Sequence, residues 1–256
     1  MSAGQSPRVG LFVTCLVDLV RPQVGFAAVK LLERSGCLVS VPASQTCCGQ
    51  PAWNAGADRH AADIARKVVN AFEGFDYVVA PSGSCAGMLR RHYPEVLKDD
   101  GAYAARARAL AAKSHELMSF LVRVRGMKDT GVGCNARVCY HDSCSSLREM
   151  GVRSEPRELL ASVEGLALNE LKEPEVCCGF GGLFSVKYPE ISERMGDDKI
   201  ADALSSGADT LIGPDLGCLL HLAGRMERQG KSLRVRHAAE ILAGMGDEPA
   251  LGERSK

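Results

Sequence analysis

The tripeptide Cys-Cys-Gly occurs twice in the chain, at residues 47–49 and again at residues 177–179. Adjacent cysteines form a disulfide with each other poorly, because the disulfide geometry strains the peptide between them. They can instead offer two thiolates to one metal centre, and the glycine that follows allows backbone dihedrals closed to other residues. The repeated tripeptide therefore predicts two related turns, each forming the floor of a metal–sulfur site.

The repetition extends to other cysteines. Three cysteines of the first half recur in the second half at offsets of 129, 130 and 133 residues, and the pairs are Cys15 with Cys144, Cys47 with Cys177, and Cys85 with Cys218. Residues 77–81 (YVVAP) and 210–214 (TLIGP) are also alike. Such regular offsets indicate an internal duplication. We expect two domains, residues 8–127 and 128–244, followed by a flexible tail at residues 245–256.

Short apolar runs alternate with longer segments of helical periodicity in each half. Strands are predicted at residues 9–13, 37–41, 77–80, 138–141, 166–171, 210–213 and 233–236. Residues 102–124 are predicted to be helical, as one long helix or two short ones, and residues 128–135 to be a linker. The alternation predicts an α/β fold of two pseudo-symmetric βα halves with mostly parallel sheets.

Charge and composition argue against several functions. The 31 basic and 31 acidic residues give a net charge of +0, which does not favour nucleic acid or an anionic membrane surface as a partner. The aromatic content of 5% argues against base-stacking surfaces. The first residues are polar, and no stretch approaches the roughly 18–20 apolar residues of a transmembrane segment. We therefore expect a cytoplasmic protein.

Eleven cysteines in a reducing compartment favour metal binding over a disulfide framework. Loops at the carboxyl ends of parallel strands converge on one edge of a sheet, so four thiolates could meet in each half. The expected ligands are Cys15, Cys47, Cys48 and Cys85 in the first half, and Cys144, Cys177, Cys178 and Cys218 in the second. Four thiolates without an obvious imidazole suit an iron–sulfur cluster, whereas zinc usually takes cysteines separated by short gaps. A structural zinc site and a thiol–disulfide site at one cysteine pair stay open as alternatives.

Other candidate residues are less informative. We expect Cys37, Cys134 and Cys139 to have no ligand role, since buried cysteine without a ligand is common. His141 could donate a hydrogen bond to a cluster, accept a proton from a hydroxyacid, or orient its loop. The glycines around residue 180 are not followed by the Lys-Ser/Thr pair of a phosphate-binding loop, so nucleotide binding is rejected.

The order of the motifs, with one cysteine, about thirty further residues, Cys-Cys-Gly and then another cysteine, resembles the CCG cysteine-rich domain family. This domain occurs in heterodisulfide reductase B-type subunits and in glycerol-3-phosphate and glycolate oxidase subunits. The similarity is greatest to the lactate utilization protein A branch, and it covers residues 9–243. The segments that carry it are residues 11–18 (LFVTCLVD), 47–52 (CCGQPA), 81–85 (PSGSC) and 177–187 (CCGFGGLFSVK).

The resemblance implies an iron–sulfur subunit of a cytoplasmic complex that oxidises L-lactate to pyruvate. The subunit would carry electrons through a cluster of the 4Fe-4S type, of which each half could hold one. It would belong to an oxidoreductase complex and not be a complete enzyme alone, and no catalytic residue is identified. Its partners would be a larger iron–sulfur protein and a third subunit, with the small hydroxyacid bound at the level of the complex.

The chain departs from the B-type reductase pattern at two positions. In that pattern the last cysteine of each half is the second of a C-x-x-C pair, whereas this chain has Ser82 and Asp215 at the first position of each pair. A cluster with four thiolates and a cluster with an oxygen ligand from Asp215 are both open.

Overall fold

The computed structural model describes residues 6–253 of the chain. The chain divides into two compact units, with the boundary between Met127 and Lys128. Each unit contains one four-stranded sheet whose strands are all parallel, with helices between them. The predicted α/β fold with two similar halves is therefore confirmed.

The first unit has the strand order β2-β1-β3-β4. Its strands are β1 (Arg8–Leu11), β2 (Leu38–Ser40), β3 (Tyr77–Ala80) and β4 (Ser114–Glu116). Its helices are α1 (Cys15–Val20), α2 (Pro22–Arg34), α3 (Gln50–Asn54), α4 (Asp58–Phe72), α5 (Gly83–Gly87), α6 (Tyr93–Val96), α7 (Ala104–Ala112) and α8 (Leu117–Ser119). Two π-helical segments cover Met88–His92 and Phe120–Val124.

The second unit has the strand order β6-β5-β7-β8, which repeats the order of the first. Its strands are β5 (Gly133–Tyr140), β6 (Glu164–Leu168), β7 (Thr210–Gly213) and β8 (Arg234–His237). Its helices are α9 (Ser154–Ala161), α10 (Leu183–Lys187), α11 (Pro189–Ser205), α12 (Leu216–Arg228) and α13 (Ala238–Leu242), and a π-helical segment covers Ser145–Glu149.

Close packing between β1 and α4 illustrates how helices cover the first sheet. Phe72, at the end of α4, is fully buried, and its ring lies 5.6 Å from that of Phe12, centroid to centroid. A side-chain carbon on Gly10 would come within 2.7 Å of the Phe72 ring. Gly10 is therefore the residue that allows this helix to lie directly on the strand.

Of the two predictions for residues 102–124, one long helix was wrong and two short helices agree with α7 and the helical segment that begins at Leu117, but β4 between them was not predicted. Ser114 and Glu116 are both buried, and Ser114 pairs with Val78 of β3. A strand with polar residues at its buried positions does not show the alternation of apolar and polar residues by which strands are recognised. The neighbouring alanine- and leucine-rich residues give the stretch a helical pattern instead.

The predicted linker and tail also contain ordered contacts. Strand β5 starts at Gly133, inside the predicted linker 128–135, and pairs there with Glu164 of β6. In the segment predicted to be a tail, the Leu251 amide donates to the Val235 carbonyl oxygen at 2.9 Å, and Ala250 is buried. Residues 254–256, the end of that segment, lie outside the described residues, as do residues 1–5.

Both Cys-Cys-Gly turns depend on glycine in the left-handed region, with φ of 83° at Gly49 and 87° at Gly179. The second turn is the tighter one. A side-chain carbon on Gly179 would lie 2.4 Å from the carbonyl oxygen of Ser192, whose hydroxyl donates to the Gly179 oxygen at 2.8 Å. The corresponding carbon on Gly49 would lie 3.2 Å from the Ile64 side chain. The second turn is thus fixed directly to α11.

We expect Gly179→Ala to lower the free energy of unfolding by about 3 kcal/mol, since it combines backbone strain with a clash against helix backbone. The matched control is Gly230→Ala, at φ of 63° with nothing within 4 Å of the added carbon, which should cost about 1 kcal/mol. Denaturant unfolding of the two variants checks the difference. Equal losses would show that the contact with α11 does not constrain the turn.

Candidate metal centre

The four cysteines predicted as ligands in the first unit lie just beyond the carboxyl ends of three adjacent strands. Cys15 begins α1 after β1, Cys47 and Cys48 lie in the loop after β2, and Cys85 lies in α5 after β3. Because β2, β1 and β3 are neighbours in a parallel sheet, these loops share one edge. The duplicated topology therefore supplies the convergence that the sequence predicted.

Helix caps fix the first and last of these cysteines. The Thr14 hydroxyl accepts from the amide of Val17 at 3.3 Å, which starts α1 at Cys15. The Ser82 hydroxyl accepts from the amide of Cys85 at 3.3 Å, which starts α5. A capping side chain satisfies an amide that the helix itself leaves unpaired. Each cap thus holds its cysteine in the first turn of a helix that points at the shared edge.

The thiols of the first set are in mutual contact. The Sγ atoms of Cys15 and Cys47 lie 3.9 Å apart, and the Cys48 thiol interacts with those of Cys47 and Cys85. Cys47 is the acceptor of the set, since its Sγ also accepts the amide of Gly49 at 3.4 Å. The structure brings together all four cysteines that the sequence predicted for this half.

The hydrogen bonds divide the protons unevenly among these thiols. Donors from Cys15 and Cys48 lower the pKa of Cys47 to about 2, so that Cys47 carries the negative charge. The hydrogen bond to Cys47, together with burial, raises the pKa of Cys15 and of Cys48 well above the usual range. The set therefore keeps most of its protons until a cation replaces them, and metal binding would release them.

The second unit repeats this arrangement. Cys144 follows β5, Cys177 and Cys178 follow β6, and Cys218 lies in α12 after β7. Cys177 interacts with the thiols of Cys144 and Cys178, and Cys178 also interacts with that of Cys218. These donors, with the amide of Gly179 at 3.4 Å, lower the pKa of Cys177 to about 2. The structure thus brings together the four predicted cysteines of the second half as well.

Asp215 has the same position in the second unit as Ser82 has in the first. It is the N-cap of α12, is buried, and accepts the amide of Gly217 on its Oδ1 atom at 3.2 Å. The residues that replace the first cysteine of each C-x-x-C pair therefore cap the helix that carries the last cysteine.

His141 is a feature of the second set whose role the sequence left open. It is 1% exposed, and neither of its ring nitrogens has a hydrogen-bond partner among residues 6–253. One ring nitrogen and the Sγ atoms of Cys178 and Cys218 all lie within 4.8 Å of one another. Burial lowers the pKa of His141 to about 4, so its imidazole is neutral at physiological pH. The sequence contained one indication of this role. His141 corresponds to Phe12 of the first unit, so a polar residue takes the place of a buried aromatic one.

An ion-pair network holds the loop between His141 and Cys144. Arg157 donates to both carboxylate oxygens of the buried Asp142, at 3.0 and 2.8 Å, and also to Glu170. Two parallel hydrogen bonds of this kind fix orientation as well as distance. The sequence alone did not identify Arg157 or its partner as residues that position the site.

Three cysteines lie outside both sets. Cys37 is buried before β2 with its Sγ 3.3 Å from the Ser35 hydroxyl. Cys139 lies within β5, where burial raises its pKa to about 11. Cys134 lies near the start of β5, at the opposite end of that strand from Cys144. The structure thus leaves Cys37, Cys134 and Cys139 apart from the two groups.

The donors present fit a thiophilic metal. Thiolates select zinc, copper(I) and iron–sulfur centres over the hard cations that prefer oxygen. With metal–sulfur bonds of about 2.3 Å, two thiolates on one tetrahedral metal atom lie about 3.8 Å apart. The 3.9 Å between Cys15 and Cys47 is close to that value. Each set could therefore hold a metal through its four cysteines.

Within residues 6–253, no helix has both the length and the apolar character needed to cross a membrane.

Comparison with known proteins places these features in a family. A family model described as a cysteine-rich domain (CCG) matches residues 9–90 and again residues 138–223. Lactate utilization protein A of Geobacillus kaustophilus is 50% identical over 92% of this chain and 98% of its own length. The protein of the same name from Bacillus subtilis is 46% identical over the same shares.

A solved structure supports the fold alone. A hypothetical protein from Helicobacter pylori matches 96% of this chain with a TM-score of 0.66 and 10% sequence identity, and the chain spans half the length of that protein. The two matched domains and the relatives at about half identity agree with each other. The chain belongs to the CCG cysteine-rich domain family, and within it to the group of proteins named lactate utilization protein A.

Proposed function

We propose that this chain is an iron–sulfur subunit that carries electrons during the oxidation of L-lactate to pyruvate by a multi-protein complex. The observation that carries the proposal is the convergence of four thiols in each half, Cys15, Cys47, Cys48 and Cys85 in one and Cys144, Cys177, Cys178 and Cys218 in the other. This convergence occurs in a chain that matches, over nearly its whole length, relatives named for lactate utilization.

A bound iron–sulfur cluster of the 4Fe-4S type would supply one-electron oxidation and reduction at each set. The protein's own groups would hold it and adjust its charge. The amides of Gly49 and Gly179 donate to Cys47 and Cys177 and so stabilise negative charge on those sulfurs. Cys48 is buried, which keeps water from one side of the first set.

The free state of the cysteines supports a reducing compartment, and we propose the cytoplasm. All eleven cysteines lie within the described residues and each is a free thiol. Proteins in oxidising compartments commonly pair such cysteines, whereas cytoplasmic ones keep them for metals or catalysis.

A partner subunit is part of the proposal, and the first unit has an apolar surface beside its thiols that supports one. Leu19 and Val41 line the same surface depression as Cys15 and Cys47. Val41 also lines a neighbouring depression with Phe26, and 67% of Phe26 is exposed. Exposed apolar patches of this kind mark protein–protein contacts. We propose that the larger iron–sulfur subunit binds here, where electrons have a short path to the first set.

A structural zinc site is the second candidate, and one observation favours it. The 3.9 Å between the sulfurs of Cys15 and Cys47 matches two ligands of a single metal atom. A zinc-binding chain would still assemble with partners, but it would contain no acid-labile sulfide and would carry no electrons.

Replacing one thiol of the second set tests the redox proposal. We expect Cys177→Ser to lose the iron bound by the second unit and, with it, the lactate-dependent activity of the assembled complex, because a serine hydroxyl is a much weaker ligand for a thiophilic metal than a thiolate. Cys134→Ser, in the same unit but at the other end of β5, should retain both. Iron analysis of the anaerobically purified variants, followed by the activity of the complex, checks this. Full iron content in Cys177→Ser would show that Cys177 is not a ligand.

Charge on the apolar surface tests the partner. We expect Phe26→Asp to weaken binding to the larger subunit by about 10- to 30-fold while leaving the iron content unchanged, as for a residue central to an interface. Leu38→Asp is the matched control, since Leu38 is similarly exposed but lies at the amino end of β2, away from the thiols. Titration calorimetry of the two variants measures the difference. Unchanged affinity in Phe26→Asp would place the interface elsewhere.

A further inference from the structure

The buried imidazole of His141 has unused hydrogen-bonding and ligating capacity. Its side chain is 1% exposed, and both Nδ1 and Nε2 lack a partner among residues 6–253. Burying a polar group without a partner costs free energy, typically about 1–3 kcal/mol. A ligand bound beside the ring would remove this cost.

The atoms nearest to that ring are sulfurs. One ring nitrogen and the Sγ atoms of Cys178 and Cys218 lie within 4.8 Å of one another. Metal–sulfur bonds of about 2.3 Å and metal–nitrogen bonds of about 2.1 Å put the ligands of one tetrahedral metal atom about 3.5–3.8 Å apart. A small inward movement of the three side chains therefore suffices to bind one metal atom.

The backbone keeps the ring in this position. The amide of His141 donates to the carbonyl oxygen of Ile212 at 2.8 Å, which extends the pairing of β5 with β7. On the other side, the bidentate pair of Arg157 with Asp142 fixes the next residue. The buried cation Lys199 donates to the Glu173 carbonyl oxygen and pairs with Asp202 at 3.9 Å, so its own contacts are made elsewhere.

The first unit has no such nitrogen at the corresponding place. The offset of 129 residues that relates Cys15 to Cys144 also relates Phe12 to His141. Phe12 is fully buried and packs against Phe72. The two sets of four cysteines are thus alike, but their immediate surroundings differ by one potential ligand.

We propose that His141 is a metal ligand of the second site, binding the same metal atom as Cys178 and Cys218, so that the two halves hold chemically different centres. The metal atom is an isolated ion or a cluster iron with fewer bridging sulfides than a cubane 4Fe-4S cluster has, since three bridging sulfides leave room for one protein ligand only. A neutral imidazole adds a ligand to the second centre without adding the negative charge that a further thiolate would bring.

This inference rests on the proposed function only in taking the second set as a metal site, and a cobalt probe tests it separately. The protein is the full chain with Cys47→Ser and Cys48→Ser, which disables the first set, purified without metal and titrated anaerobically with Co²⁺. We expect one Co²⁺ per chain and, in the proton NMR spectrum of the ¹⁵N-histidine-labelled protein, one imidazole N–H resonance shifted far outside the diamagnetic range.

In the same background, His141→Phe should remove that resonance and weaken Co²⁺ binding by about tenfold or more. Phenylalanine is the residue at the corresponding place of the first unit, so the substitution has a precedent in this fold. His221→Gln is the matched control and should change neither result. His221 is half-buried in the same unit, and its Nε2 also has no hydrogen-bond partner among the described residues.

Three results would overturn the inference. They are Co²⁺ bound without a shifted histidine resonance, a shifted resonance that persists in His141→Phe, and no Co²⁺ binding at all. The first of these is measured on the protein that carries only Cys47→Ser and Cys48→Ser, so the test holds even if His141→Phe does not fold. Any of them is compatible with normal iron and sulfide in the native protein, which would leave the proposed function intact. Conversely, zinc without sulfide in the native protein would contradict the proposed function and leave the cobalt result unaffected.

Discussion

Parallel strands bring their carboxyl ends to one edge of a sheet, and the chemistry of each unit depends on that constraint. In the first unit β1 and the two strands beside it, β2 and β3, are each followed by a loop or helix that contains a cysteine of the set. The same holds for β5 and its neighbours β6 and β7 in the second unit. A reversed strand would place one of these thiols at the opposite edge. Helix caps at Ser82 and Asp215 then fix the last cysteine of each set. Because the strands are parallel, the short loops and helix caps place the four cysteines of each unit together at one edge of its sheet.

Bringing four thiols together makes it unfavourable for all of them to ionise, because the thiolates would repel one another. One sulfur in each set, Cys47 or Cys177, accepts hydrogen bonds from its neighbours and from a glycine amide, while the pKa values of its thiol partners are raised. Full ionisation would place several negative charges within a few ångströms, which only a metal with a high positive charge can balance. The glycines at positive φ make the tight turn possible, and their amides supply part of the stabilisation. Binding of metal and folding around it should therefore be coupled.

Much of this arrangement could be predicted, because the spacing of the cysteines is distinctive and the duplication repeats it in the second half. The boundaries of β3 and β7 agree with their predicted ranges to the residue, since their apolar patterns are strong. Strand β4 was not recognised, because its buried residues Ser114 and Glu116 are polar and the strand with which it pairs, β3, is distant in sequence. The environment of His141 could not be read from sequence for the same reason. Whether His141 is buried without a hydrogen-bond partner depends on the positions of β7, α11 and α12, and the residues near it in the sequence do not show this.

The central claim is that the two Cys-Cys-Gly turns hold redox-active iron–sulfur centres and not structural ions. Metal and acid-labile sulfide analysis of the native protein, purified without oxygen, tests it most directly. We expect a brown protein with several irons and a comparable amount of sulfide per chain, bleached on exposure to air. A colourless protein with stoichiometric zinc and no sulfide would contradict it.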